Sequence, residues 1–404
     1  MGGFLALILI GFASAFYMEH NGHHVTGMSN HIVWGLPHVF AVFLIVAASG
    51  ALNVASISSV FERTLYKPLA RLSGLVALSL LAGGLSVLLL DLGRPDRLIV
   101  AVTSYNFKSI FAWNVILYSG FFVIVFGYLW TMMDKSVSRF YKPAAYGAFL
   151  WRLTLTTGTG SIFGFLVARD AYNSAVMAPM FIAMSFAFGK AIFMLIMLAV
   201  YKGTGRPLGD VVVTRLQRLM GIVLAATLYF VVLQHVTNLY VTERHGIEAF
   251  ILAGDNVYTF LFWVMQIGLG TVIPLVLLLH PALGGNRSAI VIACLLIIAG
   301  GLSQMYVIII GGQAYPLRLF PGMEAMSSFM DGQVSSYTPT LPEFLLGVGG
   351  FGVALFLVGL VTTLFRFLPA SLADADIDPD HVHDIVDQED ESAVIEEPER
   401  AEAV

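Results

Sequence analysis

Apolar residues in this chain gather into ten stretches, at 2–18, 33–57, 70–91, 109–133, 147–168, 177–201, 212–241, 257–280, 288–311 and 344–367, with polar loops between them. Each approaches or exceeds the roughly 20 residues that carry a helix across the hydrocarbon core of a bilayer. In hydrocarbon the backbone must satisfy its own hydrogen bonds, so this pattern predicts an all-α polytopic membrane protein of about ten transmembrane helices. Consecutive spans group as two four-helix bundles, spans 2–5 and 6–9, with the first and last helices flanking them. Residues 4–12, followed by Ala13-Ser14-Ala15, have the outline of a signal peptide. No Lys or Arg precedes them, so the segment is expected to stay in place as a helix.

Composition strengthens this picture. Of 404 residues, 58% are hydrophobic and 12% charged, with mean hydropathy +0.83; soluble domains are roughly 25% charged. The single cysteine, Cys294, excludes a disulfide framework, a thiolate zinc site, iron–sulfur ligation and CxxCH haem attachment within the chain. Any iron–sulfur cluster must therefore belong to a partner.

Charge divides the chain in two. Residues 371–404 hold 13 of the 26 acidic residues and one arginine, a charge of −12, while residues 1–370 carry +7. The expected organisation is a transmembrane domain over 1–370 and an acidic, disordered cytoplasmic tail over 371–404. Counting Lys and Arg in the loops gives 12 on one side (Arg63, Lys67, Arg71, Lys135, Arg139, Lys142, Lys202, Arg206, Arg215, Arg218, Arg287, Arg366) and 6 on the other (Arg94, Arg97, Lys108, Arg169, Arg244, Arg318). The positive-inside rule then places both termini in the cytoplasm and loop 91–108 on the outer face.

Candidate chemistry collects at that outer face. Asp91 closes the third span within Asp91-Leu92-Gly93-Arg94-Pro95-Asp96-Arg97, and ionisable groups at membrane depth are costly and usually functional. Asp91 could take a proton or a hydrogen bond from a bound hydroxyl, with Arg94 three residues on and within reach in a helical turn. The alternative is a helix end capped and anchored at the interface. The fourth span opens with Ser109, Trp113, Asn114 and Tyr118 in helical register, the mixture of aromatic wall and placed polar groups that suits a flat ring bearing oxygens. His38 and His235 lie in the outer halves of the second and seventh spans and could donate to a carbonyl or accept a proton; helix packing and haem ligation are the other readings. Lys190 sits near the middle of the sixth span, where a lysine costs about 2.5–3.5 kcal/mol. It is expected to face the bundle interior or a hydrated cavity, as part of a proton path or by snorkelling.

Asp91-Leu92-Gly93-Arg94-Pro95 ahead of Asn106-Phe107-Lys108-Ser109 and Trp113, with Trp34-Gly35 opening the second span, resembles the NrfD/PsrC family of respiratory-complex membrane subunits, polysulfide reductase among them. Ten spans, with Gln313-Ala314-Tyr315-Pro316 and Glu343, look closer to its ten-helix branch. Within that branch the sulfite-reductase-associated subunits (DsrP) are the nearer likeness and the hydrogenase subunits (HybB) the second. The resemblance implies a menaquinone or ubiquinone site near the outer face, with Asp91 as its acid and Arg94 as the arginine of the motif. It also implies a periplasmic ferredoxin-like iron–sulfur partner, further cytochrome and iron–sulfur subunits, a bacterial inner-membrane location, and no metal or haem in this chain. Membrane lipid is an expected partner; nucleic acid is not. A secondary transporter or ion channel, supported by Lys190 as a midplane charge, and a passive anchor are the alternatives.

Overall fold

A computed structural model describes residues 1–281, 283, 285–317, 332–365 and 367–377. Among them nine helices are long and apolar enough to cross a membrane: α1 (Gly2–Asn21), α2 (Leu36–Ser59), α3 (Thr64–Leu90), α4 (Ile110–Met133), α6 (Met177–Thr204), α7 (Asp210–Tyr240), α8 (Val257–Leu279), α9 (Arg287–Ala314) and α10 (Leu341–Leu364). The remaining expected span, the fifth, is also a helix, α5 (Tyr141–Gly164), 24 residues long. It is less apolar because Lys142, Arg152 and a run of threonines and glycines interrupt it. The described residues contain no strand, only an isolated bridge between Leu208 and Leu372. The expectation of an all-α polytopic membrane protein holds.

Helices α2–α5 pack as one bundle and α6–α9 as a second; α1 pairs with α10, which packs against α2 and α3. The bundles join chiefly along α2 and α6. There Gly50 faces the Ser185 carbonyl and Gly189 faces the Ala47–Ala51 backbone, so closely that a Cβ on either would overlap main-chain atoms. Small residues allow such approach in lipid, where dispersion between backbones replaces the hydrophobic effect as the association force. Alternation of direction brings the ends of α1, α3, α5, α7 and α9 and the starts of α2, α4, α6, α8 and α10 to one face, hereafter the site face.

Structure continues past residue 370. Leu372 is fully buried, and Asp374 accepts hydrogen bonds from the first backbone amides of α7, at Asp210 and Val211 (both 3.1 Å), an anion at a helix N-terminus. Residues 378–404, the bulk of the acidic tail, lie outside the described residues, as do Arg318 and Arg366 of the loop count.

Candidate functional site: a lipid-facing cavity with a histidine–aspartate pair

The site begins with how α2 and α3 end. Pro37 sits in the first turn of α2, where the absent N–H costs nothing, and His38 follows it. Helix α3 stops at Asp91 because Gly93 and Pro95 turn the chain away. The two ends lie side by side, with His38 Nδ1 2.7 Å from Asp91 Oδ2. Asp91 is 5% exposed, and neither carboxylate oxygen has a well-aligned hydrogen-bond donor. A buried carboxylate so poorly satisfied is costly and marks a place where a proton or a donor group is expected.

In front of this pair lies a cavity of about 540 Å³, within the range of small-molecule sites. His38 lines it, with Trp34, Phe111, Tyr118 and Phe163 as an aromatic wall and Asn114 and Ser119 as polar points. Val42, Ile45, Leu85, Leu88, Leu89 and Leu98 supply an apolar floor and mouth. Trp34 stacks on His38 (ring centroids 6.2 Å) and meets Phe111 (5.8 Å) and Phe163 (6.0 Å). Leu98 belongs to a short helix, Leu98–Thr103, whose Ile99 and Val100 are exposed, as suits a segment lying at a lipid interface. Asp91 itself stands behind His38. With Nδ1 turned to the carboxylate, Nε2 is the ring nitrogen left for a ligand.

The segment leading into α2 is held by a network that sequence reasoning did not foresee. Gln313 Oε1 accepts from the amides of Val33 and Trp34 (3.0 Å each), and Gln313 Nε2 donates to Trp34 O. Arg169 donates to the carbonyls of Gln313 (2.6 Å) and His31 (2.8 Å); burial lowers its pKa from the usual guanidinium value. Tyr337 accepts from the Leu36 amide and donates to the fully buried Glu343, which also receives Gly27 N and the Thr340 amide and hydroxyl. Burial and that carboxylate raise the Tyr337 pKa well above the phenolic range. The network sets where Trp34 and His38 stand.

Of the expected site residues, the structure brings His38, Asn114 and Tyr118 to the cavity and Asp91 to its rear wall. The others go elsewhere. Arg94 does not pair with Asp91: it lies past the helix end, is exposed, and binds Asp96 with two 3.0 Å hydrogen bonds. The i,i+3 argument fails because the chain is no longer helical there. Trp113 does not line the cavity. The cavity face of α4 runs through Phe111, Asn114, Val115 and Tyr118, and Trp113, 45% exposed, donates its indole N–H to Phe107 O. Ser109 precedes the first turn of α4 and does not line this cavity. His235 belongs to a different cavity in the second bundle, against Glu248.

Lys190 is fully buried beside the Gly50–Gly189 crossing, away from the cavity, and its ammonium has no hydrogen-bond partner among the described residues. It is not the only midplane charge. Arg152, in the expected fifth span and equally buried, donates to Asn53 Oδ1 (3.2 Å) and lies over the rings of Phe149 and Phe186. An arginine inside an apolar stretch was the available signal. Phe111 was also recoverable, three residues ahead of Asn114 on one helical face; Phe163 and Gln313, remote in sequence, were not. Because Lys190 touches neither the histidine–aspartate pair nor the cavity, Lys190→Met is expected to raise unfolding free energy by about 1–4 kcal/mol, the gain seen when buried charges give way to apolar groups. Thermal unfolding of the purified protein checks this; a lower midpoint would show that the ammonium has a stabilising partner.

Residues 24–316 match the model of the family described as "Polysulphide reductase, NrfD". The chain is similar to the Hdr-like menaquinol oxidoreductase integral membrane subunit of Archaeoglobus fulgidus, at 27% identity over 90% of this chain and 92% of that one. It is also similar to the putative dimethyl sulfoxide reductase membrane subunit of Halobacterium salinarum, at 29% identity over 93% and 92%. A third relative is a selenate reductase subunit of Mesobacillus selenatarsenatis, at 22% identity over 89% and 91%.

Proposed function

Because the chain belongs to the polysulphide reductase NrfD family, we propose that it is the quinone-reactive membrane subunit of a respiratory oxidoreductase complex, with the His38–Asp91 cavity as its quinone site. The observation that carries this reading is the histidine that lines a lipid-facing aromatic cavity and is backed by a buried, poorly satisfied carboxylate. A quinol gives up two protons as its two electrons leave. His38 Nε2, made an acceptor by the Asp91 carboxylate on Nδ1, takes one hydroxyl proton, and Asp91 stabilises the imidazolium that results; once that proton passes to water at the site face, the same imidazole takes the second. Trp34, Phe111 and Phe163 hold the ring plane, and the leucines of α3 receive the isoprenoid tail. Tyr118 offers a hydrogen bond to a ring oxygen; Asn114, whose amide N–H groups are given to Ile110 O and Gly158 O, keeps Oδ1 as an acceptor for a quinol hydroxyl. The same arrangement run backwards protonates a quinone.

Electrons must leave through a partner, since this chain has one cysteine, buried in α9. Loop charges support a periplasmic site face and cytoplasmic termini in a bacterial inner membrane, with a ferredoxin-like iron–sulfur subunit docking there. Cytochrome and further iron–sulfur subunits complete the proposed complex. The menaquinol oxidoreductase relative favours menaquinone over ubiquinone. A place in sulfur metabolism, of the sulfite-reductase-associated kind, is the finer assignment; purifying the complex and identifying its catalytic subunit decides it. A quinol-analogue inhibitor is expected to bind the purified protein with its fluorescence quenched. Asn114→Leu should weaken it about tenfold, the effect of one lost hydrogen bond of about 1.4 kcal/mol, and Trp113→Phe should leave it unchanged. Absence of binding, or equal weakening by both, would favour a passive anchor.

A further inference from the structure

The second bundle contains a carboxylate–imidazole pair that the quinone cavity does not use. His235 Nδ1 lies 2.6 Å from Glu248 Oε2, and Asn238 Nδ2 donates to Glu248 Oε1 at 2.7 Å. Glu248 is 1% exposed. The pair opens on an internal cavity between α6, α7, α8 and α9 with space of about 40 Å³ for water centres, several times the 10–15 Å³ that one water needs and far too little for a quinone ring. Two buried glutamines, Gln266 and Gln304, line it and turn polar side chains toward this space. Amide groups buried in a bilayer without partners cost several kcal/mol; waters in this space would satisfy them.

Local backbone supports a functional reading. The helix bearing Gln266 is π-helical over Leu261–Val272, and the helix bearing Gln304 becomes π-helical at Val307–Gly311. Wider turns of this kind are rare and concentrate at functional sites. The second π segment is also the wall between the two cavities: Val307 and Ile308 face the polar one, Ile309 the aromatic one. The charged side chain tied to the site is Arg244, which donates to Asn238 Oδ1 (2.7 Å); Asp170 adjoins the lining residue Ala171. Helix α6 contributes only Met177 and Met180.

We propose that His235 and Glu248, with waters held by Gln266 and Gln304, form a second proton-binding site, separate from the quinone cavity by one helix wall, whose ligand is a proton delivered through bound water. One proton is taken up by the pair, with Glu248 as its carboxylate and His235 as its exchange partner, and no electron moves.

Infrared difference spectra of the purified protein in nanodiscs, recorded between acidic and alkaline pH without quinone, test this. With the Glu248→Gln spectrum subtracted, so that the other carboxyl groups cancel, a carboxyl band that responds to pH and shifts in D2O is expected to remain in wild type and in Asp91→Asn. A signal unchanged by Glu248→Gln overturns the proposal. Should Glu248→Gln not fold, Gln266→Leu/Gln304→Leu, which dries the cavity and spares the pair, is expected to slow deuterium exchange of that signal tenfold or more; unchanged exchange overturns the proposal equally. Quinol-analogue binding, measured on the same samples, reports on the first cavity alone, so failure there leaves this result standing.

Discussion

Replacing His38 with leucine is expected to lower quinol-dependent electron transfer by a hundredfold or more, the usual contribution of a general base, with the helical fold retained. The leucine keeps the cavity apolar and filled but offers no proton acceptor beside Tyr118. Asp91→Asn should produce a loss of similar order for a different reason. An asparagine amide beside Nδ1 can donate to it, so the ring would carry its proton on Nε2 and present a donor where an acceptor is needed. Quinol-analogue binding should survive Asp91→Asn, because the aspartate sits behind the histidine and outside the cavity lining. The measurement is the rate of partner-subunit reduction by a reduced quinone analogue in the purified complex, read alongside analogue affinity. Unchanged rates in both variants would remove this pair from the chemistry.

Gly50→Ala is expected to cost about 3 kcal/mol or more, at the upper end of overpacking effects, and in practice to abolish accumulation of folded protein. Its Cβ would meet the Ser185 carbonyl, main chain that no rotamer change can move. Gly189→Ala should behave alike from the facing helix. Gly127→Ala, with nothing within 4 Å of its added carbon, serves as the control and should be neutral or slightly stabilising, since a helix interior favours alanine by about 1 kcal/mol. Folded yield and thermal midpoint in detergent check the series. Tolerance of Gly50→Ala would mean that α2 and α6 can separate, and with them the two bundles.

These predictions separate what could be read along the chain from what could not. Helix number and alternation of direction follow from apolar run length and loop length, because a bilayer leaves the backbone no other way to satisfy its hydrogen bonds; the grouping into two bundles was expected from chain order but decided by helix packing. The fifth span shows that hydropathy alone is a lenient guide: its Arg152 is accommodated by Asn53 and two phenylalanine rings, one of them, Phe186, remote in sequence.

Asp91 and His38 stood out in sequence because titratable groups at membrane depth are rare, and helical spacing gave Asn114 and Tyr118 a shared face with the cavity. Local spacing misled at Arg94, where the helix had already ended, and at Trp113, where one residue of rotation turns a side chain from cavity to lipid. That His38 rests on Asp91, that Phe163 completes the aromatic wall, that Gln313 fixes Trp34 from 279 residues away, and that His235 finds Glu248 in a separate cavity were decided only by tertiary packing. One-dimensional order determines which residues lie at which depth of the membrane; which of them face one another depends on helix rotation and crossing, set by close contacts such as Gly50 against Ser185 that leave no periodic mark in the sequence.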